Sequence, residues 1–285
     1  MNIYVAYIAT EGGRDAVALG SVLARTLGAQ LSLGMVVPPD NAAALTAGDF
    51  DDVLTEQADS WLAQARDLVP DDVPVTTHIG IYDSPAEGVI AEAERVGASL
   101  IVVGGGGGGV LGAYSLGSVV NDLIHSAPLP VALAPRGMRE QTVRTVREVT
   151  CAMGTRAGAD AVLDTAIRGC ERAGVALRLV SLIALDLMPS RRREEPEAVF
   201  AAQNHAERLL TEARRRLPDT VHVESSVVTG SSVEDAVQQL VWEPGDVIVV
   251  GSSRLAAPRR LFLGSTAAKM LRVLAVPMIV VPKEI

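Results

Sequence analysis

Short runs of Val, Ile, Leu and Ala alternate along the chain with longer stretches in which apolar residues recur every three or four positions. The runs have the pattern of strands buried on both faces, and the longer stretches that of helices laid against them. In the first half the pattern predicts strands near 2–8, 30–37, 73–79, 99–103 and 130–134, with helices near 13–27, 50–68, 84–96 and 117–126. The second half repeats it, with strands near 148–153, 176–183, 221–228, 246–250 and 277–281. Strict strand–helix alternation is the mark of βαβ units and a parallel sheet. Two helix starts carry their own signal. Ser84-Pro85-Ala86-Glu87 places a capping hydroxyl, a proline at the first helical position and a carboxylate at the third, and Ser231-Ser232-Val233-Glu234 repeats this without the proline.

The second half repeats more than the pattern. At an offset of 147 residues Ser84, Glu87, Gly104, Gly117, Ser118, Pro130 and Pro135 fall on Ser231, Glu234, Gly251, Gly264, Ser265, Pro277 and Pro282. Nearer the start, Thr10, Gly13, Asp15, Ala16 and Val17 match Thr155, Gly158, Asp160, Ala161 and Val162 at an offset of 145, and Leu31 and Leu33 match Leu177 and Leu179 at 146. A drift of two residues is what small loop insertions produce. The chain is a tandem duplication, read as one unit over 1–138 and a second over 145–285. Residues 136–147, rich in Arg, read as a solvated linker.

Composition narrows the class. Of 285 residues 48% are apolar, and with 2 Trp, 4 Tyr and 3 Phe the core must be aliphatic. Two Cys among 26 Gly and 15 Pro exclude a disulfide scaffold and point to a reducing, cytoplasmic setting. The start shows no basic region ahead of an apolar run, so no signal peptide is expected. A net charge of −9 argues against general nucleic-acid or anionic-membrane binding. The charge is uneven: residues 1–141 hold 6 Arg, no Lys and 17 acids, so an anion site there must rely on backbone groups. Residues 96–121 carry no charge but hold 9 Gly, poor material for a membrane span, and the repeat equivalent carries Arg254, Arg259 and Arg260.

The informative segment follows the fourth strand. Gly104-x-x-Gly107, nine residues, then Gly117-Ser118 leads from the end of a buried strand to the start of a helix. Such a loop aims backbone N–H groups and the positive end of a helix dipole at one point, where phosphate is the natural guest. Glycine lets the backbone come close, and Ser118 adds a hydroxyl. In the second unit the loop reads Gly251-Ser-Ser-Arg254, nine residues, Gly264-Ser265, with an arginine in place of the second glycine.

At these residues the chain resembles the universal stress protein family, whose nucleotide-binding members carry Gly-x-x-Gly, nine residues, then Gly-Ser or Gly-Thr. The tails SVVNDLIHSAPLPVALAP and STAAKMLRVLAVPMIVVP resemble that family's last helix and strand, so the resemblance covers the whole chain twice. It implies two tandem doubly wound, parallel five-stranded sheets of Rossmann-like, adenine nucleotide alpha hydrolase-like type. These would pack as an intramolecular pseudo-dimer, with the last strands pairing across the pseudo-twofold axis. It also implies that unit one binds ATP or a related adenine nucleotide, with or without Mg²⁺, through Gly104, Gly107, Gly117 and Ser118. Gly251, Gly264 and Ser265 are the weaker counterpart in unit two, degenerate or of different specificity. The role would be regulatory, read by a protein partner the sequence does not identify; a further homodimer stays open.

Two features depart from the family pattern: Arg254, and the lack of a carboxylate at the end of either first strand, which read Tyr7-Ile8-Ala9-Thr10 and Ala152-Met153-Gly154-Thr155. Glu11 is the nearest stand-in. Both departures keep open a second reading, a nucleotide-independent scaffold of the same fold. An ATP-hydrolysing or adenylating enzyme is a third, disfavoured because the chain has no nucleophile elbow, P-loop, zincin motif or zinc spacing. Cys151 and Cys170 read as structural thiols, and His78, His125, His205 and His222 are too scattered to hold a metal.

Overall fold

The computed structural model describes residues 1–39, 50–105, 110–111, 114–154, 159–189, 193, 195–253 and 260–283, with backbone alone at 50–55, 110, 111 and 115. The first half runs β1 (Asn2–Ala6), α1 (Glu11–Leu27), β2 (Gln30–Val37), α2 (Phe50–Arg66), β3 (Val75–Ile81), α3 (Pro85–Arg95) and β4 (Leu100–Val103). A two-stranded hairpin, β5 (Val110–Leu111) and β6 (Tyr114–Ser115), then precedes α4 (Ser118–Ser126) and β7 (Val131–Leu133). The second half follows with β8 (Glu148–Met153), α5 (Ala159–Ala173), β9 (Ala176–Ala184), α6 (Pro196–Arg215), β10 (Val223–Gly230), α7 (Val233–Gln238), β11 (Asp246–Gly251), α8 (Ser265–Leu271) and β12 (Met278–Val281).

Each half forms a parallel five-stranded sheet, and the two fuse into one ten-stranded sheet in the order β10-β9-β8-β11-β12-β7-β4-β1-β2-β3. The junction is the antiparallel pair β7–β12, the expected pairing of last strands. In its register Ala132 faces Ile279, and these two residues are equivalents at the 147-residue offset. The pseudo-twofold axis therefore passes between them.

Side chains alternate across the strands, as the pleat requires. Ile3, Val5, Leu100 and Val102 meet the layer of α1, α2, α5 and α6, while Tyr4, Ile101 and Val103 meet that of α3, α4, α7 and α8. The caps follow local chemistry. Thr10 accepts from the Gly13 amide at the start of α1, and Gly28 and Gly174, both left-handed, close α1 and α5. Ser84 caps α3 as expected. In unit two the cap lies one residue further on: Ser232 accepts from the Asp235 amide, and Asp235 accepts in return from Ser231. Glu234 is left to pair with Arg272 at 3.2 Å.

The linker is largely exposed, as expected, but is pinned at a few points. A 3-10 turn, Met138–Glu140, buries Met138 against α1. The buried carboxylate of Asp15 accepts from the Gly137 and Arg139 amides and from the Arg139 guanidinium, at 3.0–3.1 Å. Arg147 is held by the buried Asp246 through two 2.8 Å bonds. Sequence reading missed both because each partner lies about a hundred residues away.

Candidate functional site

In a doubly wound sheet ligands enter where neighbouring connections leave to opposite faces, at the carboxyl ends of the central strands. In this chain those points lie between β1 and β4 and between β8 and β11.

At the first, two stretches of backbone touch. A Cβ on Gly104 would lie 1.7 Å from the Gly12 carbonyl oxygen, and one on Gly12 would lie 1.7 Å from that of Gly105. The loop after β4 thus rests directly on the first turn of α1, and the absent side chain at Gly104 serves that contact. Gly117 caps α4 without a side-chain bond, leaving first-turn amides open, and Ser118 follows it exposed. Gly107 lies outside the described residues. Within the loop Tyr114 is buried, and its hydroxyl donates to the Val276 carbonyl of unit two. Burial raises the Tyr114 pKa far above that of an ordinary phenol.

At the second point there is a cavity of about 300 Å³. Its walls include Met153 and Gly154 from the end of β8, Ser181 from β9, Gly251 from β11, and Gly264 and Ser265 at the start of α8. A Cβ on Gly154 would meet nothing within 4 Å. Thr266, Ser252 and Met270 also line it; Thr266 follows the Gly-Ser pair and could have been inferred from it, whereas Ser181 reaches the site only through sheet pairing. Among the described residues no carboxylate lines the cavity. Beside it Asp186, in a 3-10 turn after β9, forms an ion pair with Lys269 of α8.

The expected residues therefore form two groups. Gly251, Gly264 and Ser265 share one cavity, while Gly104 packs on α1 and Gly117-Ser118 opens α4. Arg254 and Arg259 lie outside the described residues. Arg260 donates to the Ser126 carbonyl at 2.8 Å, and the Leu261 and Leu263 amides donate to the Ala127 and Ile124 carbonyls. Phe262 sets its ring edge-on to His125. This segment straps unit two to α4 of unit one, just as Tyr114 ties unit one to unit two. Glu11, the nearest stand-in for the missing carboxylate, is exposed and pairs with Arg139 at 3.3 Å.

Other candidate groups fall into place. Cys151 and Cys170 are buried thiols pushed up to about 12 by desolvation, inert at neutral pH. Among the described residues no cluster of three or more His, Cys, Asp or Glu could hold a metal ion, and no helix is long and apolar enough to cross a membrane.

A tandem doubly wound α/β chain, with its halves joined edge to edge and its crevices at the switch points, defines a Rossmann-like fold class. Within it the chain belongs to the universal stress protein family, whose model matches residues 1–135 and again 145–282. It is 28% identical over 297 residues to Universal stress protein Rv2319c of Mycobacterium tuberculosis, covering 99% of this chain and 100% of that one. Universal stress protein Mb2346c of Mycobacterium bovis matches to the same extent. Among solved structures, a universal stress protein from Archaeoglobus fulgidus superposes with a TM-score of 0.63 at 17% identity, over 99% of this chain and 98% of that one. A putative universal stress protein from Pseudomonas aeruginosa gives 0.58 at 18% identity, over 99% and 92%. Both likenesses concern the fold.

Proposed function

We propose that this chain is a cytoplasmic, regulatory stress-response protein that binds ATP or a related adenine nucleotide, its two units spanning 1–138 and 145–285. The observation that carries the reading is the unit-two cavity of about 300 Å³ at the switch point, at the lower end of the ~300–1,000 Å³ of small-ligand sites. Met153 and Met270 offer apolar walls for a base, while Ser181, Ser252, Ser265 and Thr266 offer hydroxyls for sugar and phosphate. The described geometry thus favours unit two as the seat, although unit one keeps the fuller glycine motif. Unit one is the other candidate seat, through Gly104, Gly107, Gly117 and Ser118. Nucleotide occupancy would act on the loop strapped to the other unit and so change a surface that a protein partner reads. Among the described residues no carboxylate lines the cavity to help hold Mg²⁺, so the metal would be retained by the phosphates.

The test is calorimetric titration of ATP, with and without Mg²⁺, into wild type, Gly154→Leu and Gly107→Val, after chromatography of any nucleotide released from the purified protein. Saturable binding lost in Gly154→Leu and kept in Gly107→Val places the nucleotide in unit two. The reverse places it in unit one. No carried nucleotide and no binding up to millimolar ATP refutes the proposal and supports the second reading, a nucleotide-independent scaffold, which the lack of a carboxylate among the described residues of the cavity favours.

A further inference from the structure

A second cavity, of about 330 Å³, lies well away from both switch points, between α1 of unit one and α5 of unit two. Its floor is the central sheet, including Leu100, Val249 and Ile279. An apolar cavity of ~150 Å³ stays dry and takes up benzene, so this one has room for a longer hydrocarbon. The threonine hydroxyls of its helical walls are already engaged. Thr26 donates to the Val22 carbonyl and Thr165 to the Ala161 carbonyl, which leaves hydrocarbon facing inward.

The cavity exists because the repeat has diverged. The helix-ending glycines Gly28 and Gly174 set the local offset at 146, which makes Leu23 equivalent to Gly169 and Leu27 to Ala173. Unit one supplies two leucines to this seam, and unit two answers with a glycine and an alanine. A Cβ on Gly169 would meet nothing within 4 Å, so the space is present at the helix surface itself. Glycine inside a helix is less favourable than alanine, and packing does not require it at this position.

Two exposed guanidiniums, Arg168 and Arg172, border the cavity, and among the described residues no carboxylate lines it. Neither has an acidic partner within 4.0 Å among the described residues: Arg168 donates to Thr165, and Arg172 donates through Nε to the Leu27 carbonyl, across the seam. This contrasts with Arg25, Arg139, Arg147 and Arg216, which are all paired with carboxylates. Cationic donors over a hydrocarbon-lined space complement a molecule with one anionic end and one apolar tail.

We propose that the seam between α1 and α5 is a binding site for a single-chain amphipathic carboxylate of the fatty-acid class, its tail in the cavity and its carboxylate on Arg168 and Arg172. The site is separate from the nucleotide cavity and does not depend on it. The probe is decanoate, titrated calorimetrically into the full chain beside decanol, which has the same tail without the charge. Decanoate should bind saturably at one site, with decanol at least about tenfold weaker. Arg168→Gln with Arg172→Gln should bring decanoate down to decanol, and Gly169→Leu, which fills the cavity, should abolish binding while leaving thermal stability equal or higher. Ala173→Leu fills the same space from the next turn and serves should Gly169→Leu not fold. Equal affinity for the two probes, no saturable decanoate binding, or binding that survives both cavity-filling variants would overturn the proposal. ATP affinity should be unchanged throughout.

Discussion

Asp15 and Asp160 occupy equivalent places in the repeat and do different work. Asp15 is buried and accepts two linker amides and a guanidinium, whereas Asp160 pairs with Arg216 on the surface. Removing a buried acceptor strands its donors, so Asp15→Ala should destabilise the fold by about 3 kcal/mol in urea titration, while Asp160→Ala should change little. Tyr114→Phe removes the buried bond to the Val276 carbonyl and should cost about 1–3 kcal/mol by the same measurement. The sequence marks Asp15 only as a repeated residue; that it holds the linker depends on Arg139, 124 positions away.

At the scale of elements, the strand and helix positions were legible because a buried parallel sheet leaves a strong apolar signature. Strands read near 30–37 and 148–153 are observed at Gln30–Val37 and Glu148–Met153. The hairpin β5–β6 was not legible. Its strands are two residues each, too short for any periodicity, and Tyr114 is anchored by the other unit. β3 and α3 carry a pH-dependent contact. His78 is held below its ordinary value of 6.5 by desolvation first and Arg95 second, while Arg95 holds the neighbouring Glu92 below the usual carboxylate range, opposed by desolvation. The unfolded chain binds a proton at His78 more readily than the native one, so stability should fall as pH drops below about 6.5 toward the native pKa. Glu92 contributes stability above its ordinary value of 4.5, and this is lost as pH falls through the lower native pKa. His78→Gln should flatten the upper part of the profile and leave the lower part, read as urea midpoints between pH 7 and 4.

The whole molecule is one sheet with two inequivalent halves. Because β7 and β12 pair and the layer under α1, α2, α5 and α6 runs through both units, the halves should unfold together. Each half carries one reporter, Trp61 in α2 and Trp242 just before β11. Single-tryptophan variants made by Trp61→Phe and Trp242→Phe should show coincident urea midpoints; separated midpoints would mean that the shared strand pair does not couple them.

The sequence by itself determined the duplication, the doubly wound class, the family and the identity of the glycine-loop residues, because each leaves a local pattern in composition, period or spacing. Tertiary structure alone decided how the two copies differ. Gly104 packs against Gly12, the open switch-point cavity lies in unit two, and Gly169 opens a space opposite Leu23. Each outcome depends on the separation of surfaces far apart in the chain, and a spacing motif carries no information about the volume left between them.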